Sequence, residues 1–312
     1  MISVQFDYAA PDSLEAAVKL LNDDHSAVIL AGSHSLIAAL KQPSLSPSLL
    51  VDLLKIPGLQ GIRREANGVL EIGGMTTLDQ VAASKEVKEN FHALAEAAHS
   101  IGDAQIRNWE RIGDLFAYRD LARDLPAVAL ALEATFQIVG VSGSKTIGVQ
   151  ELIPLAVQAE WMPQEIILSL KFPPCTPETG TAYQCLRHPA STYAICGIAA
   201  LVEPSVNQVS VGKCRVAVAG ALSYPIRLSQ VEAAMGGKAP TSENIAAAAK
   251  LAAENVTTAL ATREDLTILS DLYASAEYRT HLIGVLTKRA LMLAAKRSSF
   301  VANIGHGDST LW

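Results

Sequence analysis

The sequence has few of the residue patterns that mark metal proteins. Its four cysteines form no C-x-x-C pair, so neither a zinc site nor an iron–sulfur cluster is predicted. Its seven histidines form no H-x-x-x-H pair, which argues against a histidine metal site. The cysteines are expected to be reduced, partly buried thiols of a cytoplasmic protein.

Long apolar runs and positive charge are also scarce. No apolar stretch reaches the roughly 20 residues of a membrane-spanning helix, so no membrane span is expected. The N-terminal stretch MISVQFDYAAPDS lacks the basic region and apolar core of a secretory signal. The net charge of −6 argues against a general nucleic-acid binder, which would carry a basic stripe.

What the chain does have is apolar content. Half of its 312 residues are hydrophobic, which is enough for a sizeable core. That length accommodates one large domain or two to three smaller ones.

A polar, charged and aromatic segment over residues 101–124 separates two apolar helical patterns. A segment of this length with no predicted helix or strand of its own is usually functional or disordered. Ile106, Ile112, Leu115 and Phe116 argue against disorder because they can be buried. The segment is therefore interpreted as an ordered surface loop or as a ligand-holding loop.

A small-residue turn follows a short apolar strand predicted over residues 27–30, and a helix is predicted over 36–41. The turn consists of Ala31, Gly32, Ser33, His34 and Ser35. A strand–turn–helix of this kind presents backbone N–H groups at a helix N-terminus, which suits a phosphate. Small-residue turns also join many strands to helices, so a plain structural turn is the equal alternative.

The rest of the chain changes character at Pro173-Pro174, which is the predicted domain boundary. Before it, a helix is predicted to start at Asp12 with Glu15 as its capping partner, and Thr77 is predicted to cap a helix over 78–84. A hairpin is predicted around Ser142. Beyond the boundary, three β-like runs and helices over 229–235, 244–255 and 278–296 predict an antiparallel sheet with helices covering one face.

Several of these segments together resemble a known family over nearly the whole chain. They include LAGSHSLIAALK, LEIGGMTTLDQVAAS, IGDAQIRN, RDLPAVALALEA, YQCLRHPASTYAICGIAALV and DLYASAEYRTHLIGVLTKRAL. The family is the FAD-binding medium subunit of the molybdenum hydroxylases, which include carbon monoxide dehydrogenase and xanthine dehydrogenase. The first segment resembles the family's A-G-G-x-S flavin motif.

The resemblance implies an α+β fold with a two-part PCMH-type FAD-binding domain, whose α/β and α+β subdomains hold FAD between them. A small C-terminal domain with a three-stranded antiparallel sheet and helices would follow. The implied boundaries are 1–54, 55–173 and 174–296, with a tail over 297–312.

The resemblance also implies an oxidoreductase subunit that transfers electrons. Electrons would come from the iron–sulfur clusters of a partner subunit in a complex with a molybdopterin subunit, and would leave to NAD or another acceptor. It implies no catalytic residue and no metal ligand. The cofactor-binding residues that it implies are Ala31, Gly32, Ser33, His34, Ser35, Thr77, Arg111, Ile112, Gly113, Asp120 and Tyr193.

The sequence is compatible with a second interpretation for two of these residues. Tyr193 matches a family aromatic near the isoalloxazine ring, but a core tyrosine with a satisfied hydroxyl is equally compatible with the sequence. Asp120 is also compatible with a solvated carboxylate that pairs with Arg119 or Arg123.

Both flavin motifs depart from the family pattern. The second motif, T-I-G-G-N in the family, reads R-I-G-D-L here, so Asp114 replaces a glycine and Leu115 replaces an asparagine. Trp109 and Glu110 precede it, where Arg-Gly is common. In the first motif Ser33 stands where glycine is usual.

These departures affect the electrostatics of a diphosphate site. At about 4 Å and an effective dielectric near 20, the Asp114 carboxylate would repel a phosphate charge by about 4 kcal/mol. Arg111 either compensates by pairing with the phosphate or pairs with Asp114 and leaves the site closed. The Trp109 indole is a candidate to fill emptied space.

Three functional hypotheses follow. The first is a FAD-binding electron-transfer subunit of a molybdenum hydroxylase-type complex. The second is a flavin-free descendant that acts as a binding, assembly or regulatory protein, with Trp109 and Trp312 as candidate contact residues. The third is a flavoprotein that works outside such a complex with a soluble electron donor.

Overall fold

The computed structural model describes residues 5–32, 34–41, 46–117, 124–157, 164–189 and 192–300. Its contacts divide the chain into two compact units built from alternating segments. The first unit comprises Met1–Ser84, Ile101–Leu121 and Glu133–Pro174, and the second comprises Lys85–Ser100, Ala122–Leu132 and Cys175–Trp312. The predicted boundary at Pro173-Pro174 coincides with the end of the first unit, while the boundaries at 54 and 296 stay predictions.

The described residues form helices and strands in roughly equal number. The strands are β1 Asp7–Ala9, β2 Val28–Leu30, β3 Leu49–Asp52, β4 Ile62–Arg64, β5 Leu70–Gly73, β6 Thr135–Gly140, β7 Gly143–Gly148, β8 Ile166–Phe172, β9 Gly180–Arg187, β10 Ala194–Pro204, β11 Val211–Ala219 and β12 Ile226–Arg227. The helices are α1 Leu14–Asp23, α2 His34–Leu40, α3 Leu78–Ala83, α4 Lys85–Asn90, α5 His92–Ser100, α6 Ala104–Trp109, α7 Asp114–Ala117, α8 Asp124–Ala131, α9 Val149–Val157, α10 Ser229–Met235, α11 Ser242–Lys250, α12 Ala252–Thr262 and α13 Ala276–Arg297.

A small parallel sheet begins the first unit, in the order β1-β3-β2. Parallel neighbours need crossover connections, and α1 and α2 supply them. Ala17 and Leu21 of α1 are fully buried with Val51 of β3. Helix α1 begins one residue later than the predicted capping pattern, because Ser13 Oγ, and not Asp12, accepts the N–H of Ala16 at 3.3 Å.

A five-stranded antiparallel sheet, in the order β4-β5-β8-β6-β7, completes the first unit. Its buried side chains include Ile72, Phe136 and Leu170, each with no exposed surface. The predicted hairpin is confirmed, since β6 and β7 pair down to Gly140 opposite Gly143.

The segment over 101–124 is more regular than its sequence predicted. It contains α6 and α7, so the expectation of no helix or strand was wrong. Both helices are too short to show a clear apolar period, and Asp103 caps α6 by accepting the N–H of Ile106 at 2.9 Å. Ile112, Leu115 and Phe116 are buried as predicted, whereas Ile106 is only partly buried. The Phe116 ring meets Phe136 edge to face at 4.7 Å.

The second unit is built on an antiparallel sheet in the order β12-β11-β10-β9. Three long strands agree with the implied three-stranded sheet, and β12 adds a two-residue edge. Strand β10 is buried at every position from Cys196 to Val202, so both faces of the sheet are covered. The prediction of helices on one face was therefore wrong, because α5 and α8, from earlier in the chain, pack on this sheet together with α13.

The helix predicted over 244–255 is two helices. Helix α11 ends at Lys250 and α12 begins at Ala252, with Leu251 between them. The alanine-rich pattern runs through the junction, and so it concealed the break.

Candidate functional site

The two predicted flavin motifs meet within the first unit. Gly32 follows β2 with φ +78°, and a Cβ at this position would lie 2.1 Å from the carbonyl oxygen of Trp109 and 2.9 Å from Cγ of Arg111. A side chain is excluded there both by the left-handed backbone and by the carbonyl contact. Ala31 is buried, and His34 and Ser35 begin α2. Ser33 lies outside the described residues.

Backbone hydrogen bonds fix the second motif in place. Leu78 N–H donates to Glu110 O at 3.1 Å, and Ile112 N–H donates to Thr76 O at 2.9 Å. Gly113 N–H donates to Gly74 O at 2.9 Å, and a Cβ on Gly113 would lie 2.8 Å from that oxygen. Residues 110–113 therefore run against residues 74–78 as a bridged pair of segments.

Thr77 caps α3 as predicted. Its Oγ1 accepts the N–H of Gln80 at 3.1 Å, and Gln80 Oε1 accepts the N–H of Thr77 at 3.0 Å. This reciprocal capping box satisfies two backbone N–H groups at the start of α3.

Replacing Thr77 with alanine removes the cap. We expect the free energy of unfolding to fall by about 1 kcal/mol. Urea denaturation of the folded chain measures the change, and Thr257→Ala, at an exposed threonine within α12, is the comparison. Equal losses in the two variants would show that the capping box does not stabilise the first unit.

Arg111 is a half-buried cation that forms no ion pair with a carboxylate of the described residues. In the described chain its Nη1 donates to Met75 O at 3.4 Å, and its buried Nε has no hydrogen-bond partner. Burial lowers the pKa of the guanidinium, and the charge of Asp52 opposes this effect. Desolvation of a cation that has no ion-pair partner is unfavourable.

Of the two alternatives for Arg111, pairing with Asp114 is absent: no side-chain bond joins them, and only the Asp114 N–H donates to Arg111 O, at 3.1 Å. Asp114 is 5% exposed at the first position of α7, where a carboxylate complements the helix dipole. Leu115 is 4% exposed and contributes to the core. These two departures from the family motif therefore have structural roles in the first unit.

Trp109 does not fill emptied space, which corrects one expectation. Its side chain is 64% exposed at the C-terminal end of α6. Only its backbone carbonyl, against Gly32, takes part in closing the turn.

Tyr193 lies in the second unit and is 44% exposed, so the reading as a core tyrosine was wrong. Its carbonyl accepts the N–H of His188 at 2.9 Å. Asp120 lies outside the described residues, as do its candidate partners Arg119 and Arg123.

A buried cluster in the second unit escaped the sequence analysis. Asp124 is 2% exposed, and its Oδ1 accepts from the Tyr183 hydroxyl and from Arg187 Nη2, the latter at 2.8 Å. Burial, with the Asp124 charge beside it, raises the pKa of Tyr183 well above its usual value. Arg187 Nη1 also donates to the carbonyl of Thr192, whose φ is +60°. No local pattern signals this cluster, since Asp124 lies 59 residues from Tyr183 and 63 from Arg187.

Two classes of site are not found among the described residues. No group of three or more histidine, cysteine or acidic side chains is placed to hold a metal ion. Within those same segments, no helix has the length and apolar character needed to cross a membrane.

Around Gly32 and Arg111 the chain offers a tight backbone turn and a permanent cation. Arginine stays protonated in proteins, so this side chain is suited to hold an anionic group and not to transfer protons. Phosphate and carboxylate are the groups that a guanidinium holds best.

Two protein-family models match the chain. Residues 4–175 match the FAD binding domain in molybdopterin dehydrogenase. Residues 181–294 match the CO dehydrogenase flavoprotein C-terminal domain.

Individual proteins are similar over almost their full length. The carbon monoxide dehydrogenase medium chain of Hydrogenophaga pseudoflava is 34% identical, covering 95% of this chain and 99% of that protein. The 6-hydroxypseudooxynicotine dehydrogenase complex subunit alpha of Paenarthrobacter nicotinovorans is 33% identical, covering 94% and 95%. A solved carbon monoxide dehydrogenase from Hydrogenophaga pseudoflava superposes with a TM-score of 0.83 at 32% identity, covering 96% and 100%.

Proposed function

The chain belongs to the family of FAD-binding medium subunits of the molybdenum hydroxylases, and on that premise we propose that it binds FAD and transfers electrons. Bound FAD would supply the redox chemistry, accepting electrons and passing them on. The chain's own residues would bind and orient the cofactor.

The observation that carries this proposal is the guanidinium of Arg111, which forms no ion pair within the described segments. A half-buried cation with an unsatisfied Nε, next to a glycine turn, suits a dianionic diphosphate. Arg111 would hold the diphosphate, while the turn at Ala31 and Gly32 would let the backbone approach it. The remaining predicted contacts belong to the same proposal: His34, Ser35, Thr77, Ile112, Gly113 and Tyr193.

The proposal extends to partners. Relatives of this chain are named as subunits or medium chains of dehydrogenases. We propose that this chain works in a similar complex, receiving electrons from an iron–sulfur subunit linked to a molybdopterin subunit and passing them to NAD or another acceptor. A cytoplasmic location is part of the proposal, and four cysteines outside any disulfide are compatible with it.

Visible absorption after incubation with excess FAD and desalting tests cofactor binding. The wild-type chain is expected to retain a flavin spectrum, and Arg111→Met is expected to weaken FAD binding by about 10- to 100-fold, equivalent to about 1.5–3 kcal/mol for hydrogen bonds to a charged group. Arg111→Lys keeps the positive charge but not the two-pronged guanidinium, so it should lose less FAD affinity than Arg111→Met.

The matched control is Lys19→Met, which removes an exposed cation from α1 of the same unit. It should bind FAD as the wild type does. Undiminished FAD affinity in Arg111→Met would contradict the assignment of Arg111 to the diphosphate.

A flavin-free binding, assembly or regulatory protein is the second candidate. The observation in its favour is the 64% exposed Trp109 beside the turn, a large apolar side chain available for contact. A folded wild-type chain that retains no flavin would favour this function over electron transfer. Retained flavin with no iron–sulfur subunit on co-purification would instead indicate a flavoprotein that works outside a complex.

A further inference from the structure

A groove of about 1190 Å³ lies in the second unit, and its lining includes none of the residues proposed to hold FAD. Helices α11 and α13 form its two sides, and the start of α12 closes one end. We call it the basic groove, and its principal residues are Ala246, Ala249, Gly284, Lys250, Lys288 and Arg289.

The floor of the basic groove is made of small residues. Ala246 and Ala249 on α11 face Gly284 on α13, with Ala253 at the end of the groove. Small side chains let another backbone approach closely, as ridges pack into grooves between helices. Val285 and the 38% exposed Met292 add apolar walls. The floor is therefore shaped for an apolar helix face.

The rim of the groove is positively charged. Lys250, Lys288 and Arg289 are exposed, and in the described part of the chain none of them forms an ion pair or a side-chain hydrogen bond. A single carboxylate, Glu277, lies among the lining residues. This local excess of positive charge contrasts with the whole chain, whose net charge is −6. The groove is electrostatically complementary to an acidic partner.

The length of the groove matches a helix of about four turns. Its lining residues on α13 recur from Glu277 to Met292 at helical spacing, so they form one continuous stripe. At 1.5 Å per residue this stripe is about 22 Å long.

From these features we propose that the basic groove docks an amphipathic α-helix of a partner protein, with an apolar face on the alanine–glycine floor and acidic residues against Lys250, Lys288 and Arg289. This is the helix-in-groove mode of recognition. The proposed helix docking does not depend on FAD binding, so its test is separate from the test of the proposed electron transfer.

The test uses the full chain and two fluorescent helical peptides of about 16 residues, which share one leucine face. One peptide carries glutamate beside the leucines and the other carries lysine. Fluorescence anisotropy is expected to show at least tenfold tighter binding of the glutamate peptide, with the preference reduced at high salt. Equal binding of the two peptides, or no binding of either, would overturn the proposal.

Variants locate the binding site. The double variant Lys288→Glu and Arg289→Glu reverses the charge of the rim. It should weaken binding of the glutamate peptide by about tenfold or more, since the attraction becomes repulsion. Gly284→Leu fills the floor without changing charge, and the nearest atom to its Cβ would be Ala249 O at 3.7 Å, an ordinary van der Waals contact. It too should block binding.

Lys238→Glu reverses an exposed lysine of the same unit outside the groove, and should bind the glutamate peptide as the wild type does. Circular dichroism confirms that each variant is folded. Wild-type affinity in both groove variants would show that the peptide binds elsewhere and would overturn the proposal. The proposal would also be overturned if dodecanoate displaced the labelled peptide at a lower concentration than unlabelled peptide does. The groove would then bind a lipid-like anion in preference to a helix.

Discussion

Gly32→Ala is expected to abolish retention of FAD and to lower the free energy of unfolding by about 3 kcal/mol. Gly32 has φ +78°, and an added Cβ would lie 2.1 Å from the Trp109 carbonyl oxygen, a backbone atom that cannot rotate away. Accommodating a methyl group requires the turn and the segment around Arg111 to separate. Urea denaturation and flavin absorption after desalting measure the two effects.

Gly58→Ala is the matched control, because Gly58 has φ +81° and nothing lies within 4 Å of its added Cβ. It carries the same backbone strain without the collision, so we expect a loss of about 1 kcal/mol and normal FAD retention. If the two variants lose equal stability, the contact between the turn and Trp109 contributes nothing beyond the left-handed backbone.

Asp124→Asn is expected to lower the free energy of unfolding by about 3–5 kcal/mol. The carboxylate is 2% exposed and is the counter-ion of Arg187, whose side chain is 20% exposed. Asparagine keeps the shape but leaves the guanidinium largely buried without an opposite charge. It also weakens the acceptor of the Tyr183 hydroxyl. Chemical denaturation of the full chain gives the measurement.

The control for this change is Lys85→Ala, which breaks the pair between Lys85 and Glu89 at 3.7 Å, with side chains 86% and 58% exposed. A solvent-exposed i,i+4 pair of this kind contributes about 0.3–0.5 kcal/mol. A loss in Asp124→Asn no larger than in Lys85→Ala would mean that the buried cluster is not what stabilises the second unit.

Periodicity found the elements that are long or strongly patterned. The strand over 166–172 and the hairpin at Ser142 were predictable because alternation and turn residues are local signals. Strands β1 and β4 have three residues each, and α7 has four, which is too short for a period to show. The predicted start of helix α1 was one residue too early, because Asp12 and Ser13 are both good N-cap residues.

The candidate site was predictable in one respect and not in another. The small residues at Gly32 and the altered motif at Arg111 stood out as local patterns with a chemical meaning. Whether Arg111 pairs with Asp114 depended on where folding places each side chain, and the structure separates them. The hydrogen bonds of Asp124 with Tyr183 and Arg187 join positions far apart in sequence, so no local pattern predicts them.

The sequence by itself determined the family of this protein and the α+β class, because several separate segments along the chain resemble that family, and it located the two predicted flavin motifs. Only the tertiary structure decided that the motifs meet at the Gly32–Trp109 contact. It also decided that Arg111 forms no ion pair in the described part of the chain and that α11 and α13 enclose a basic groove. Burial, charge pairing and cavities depend on segments far apart in sequence, and their energies exist only once the chain has brought them together.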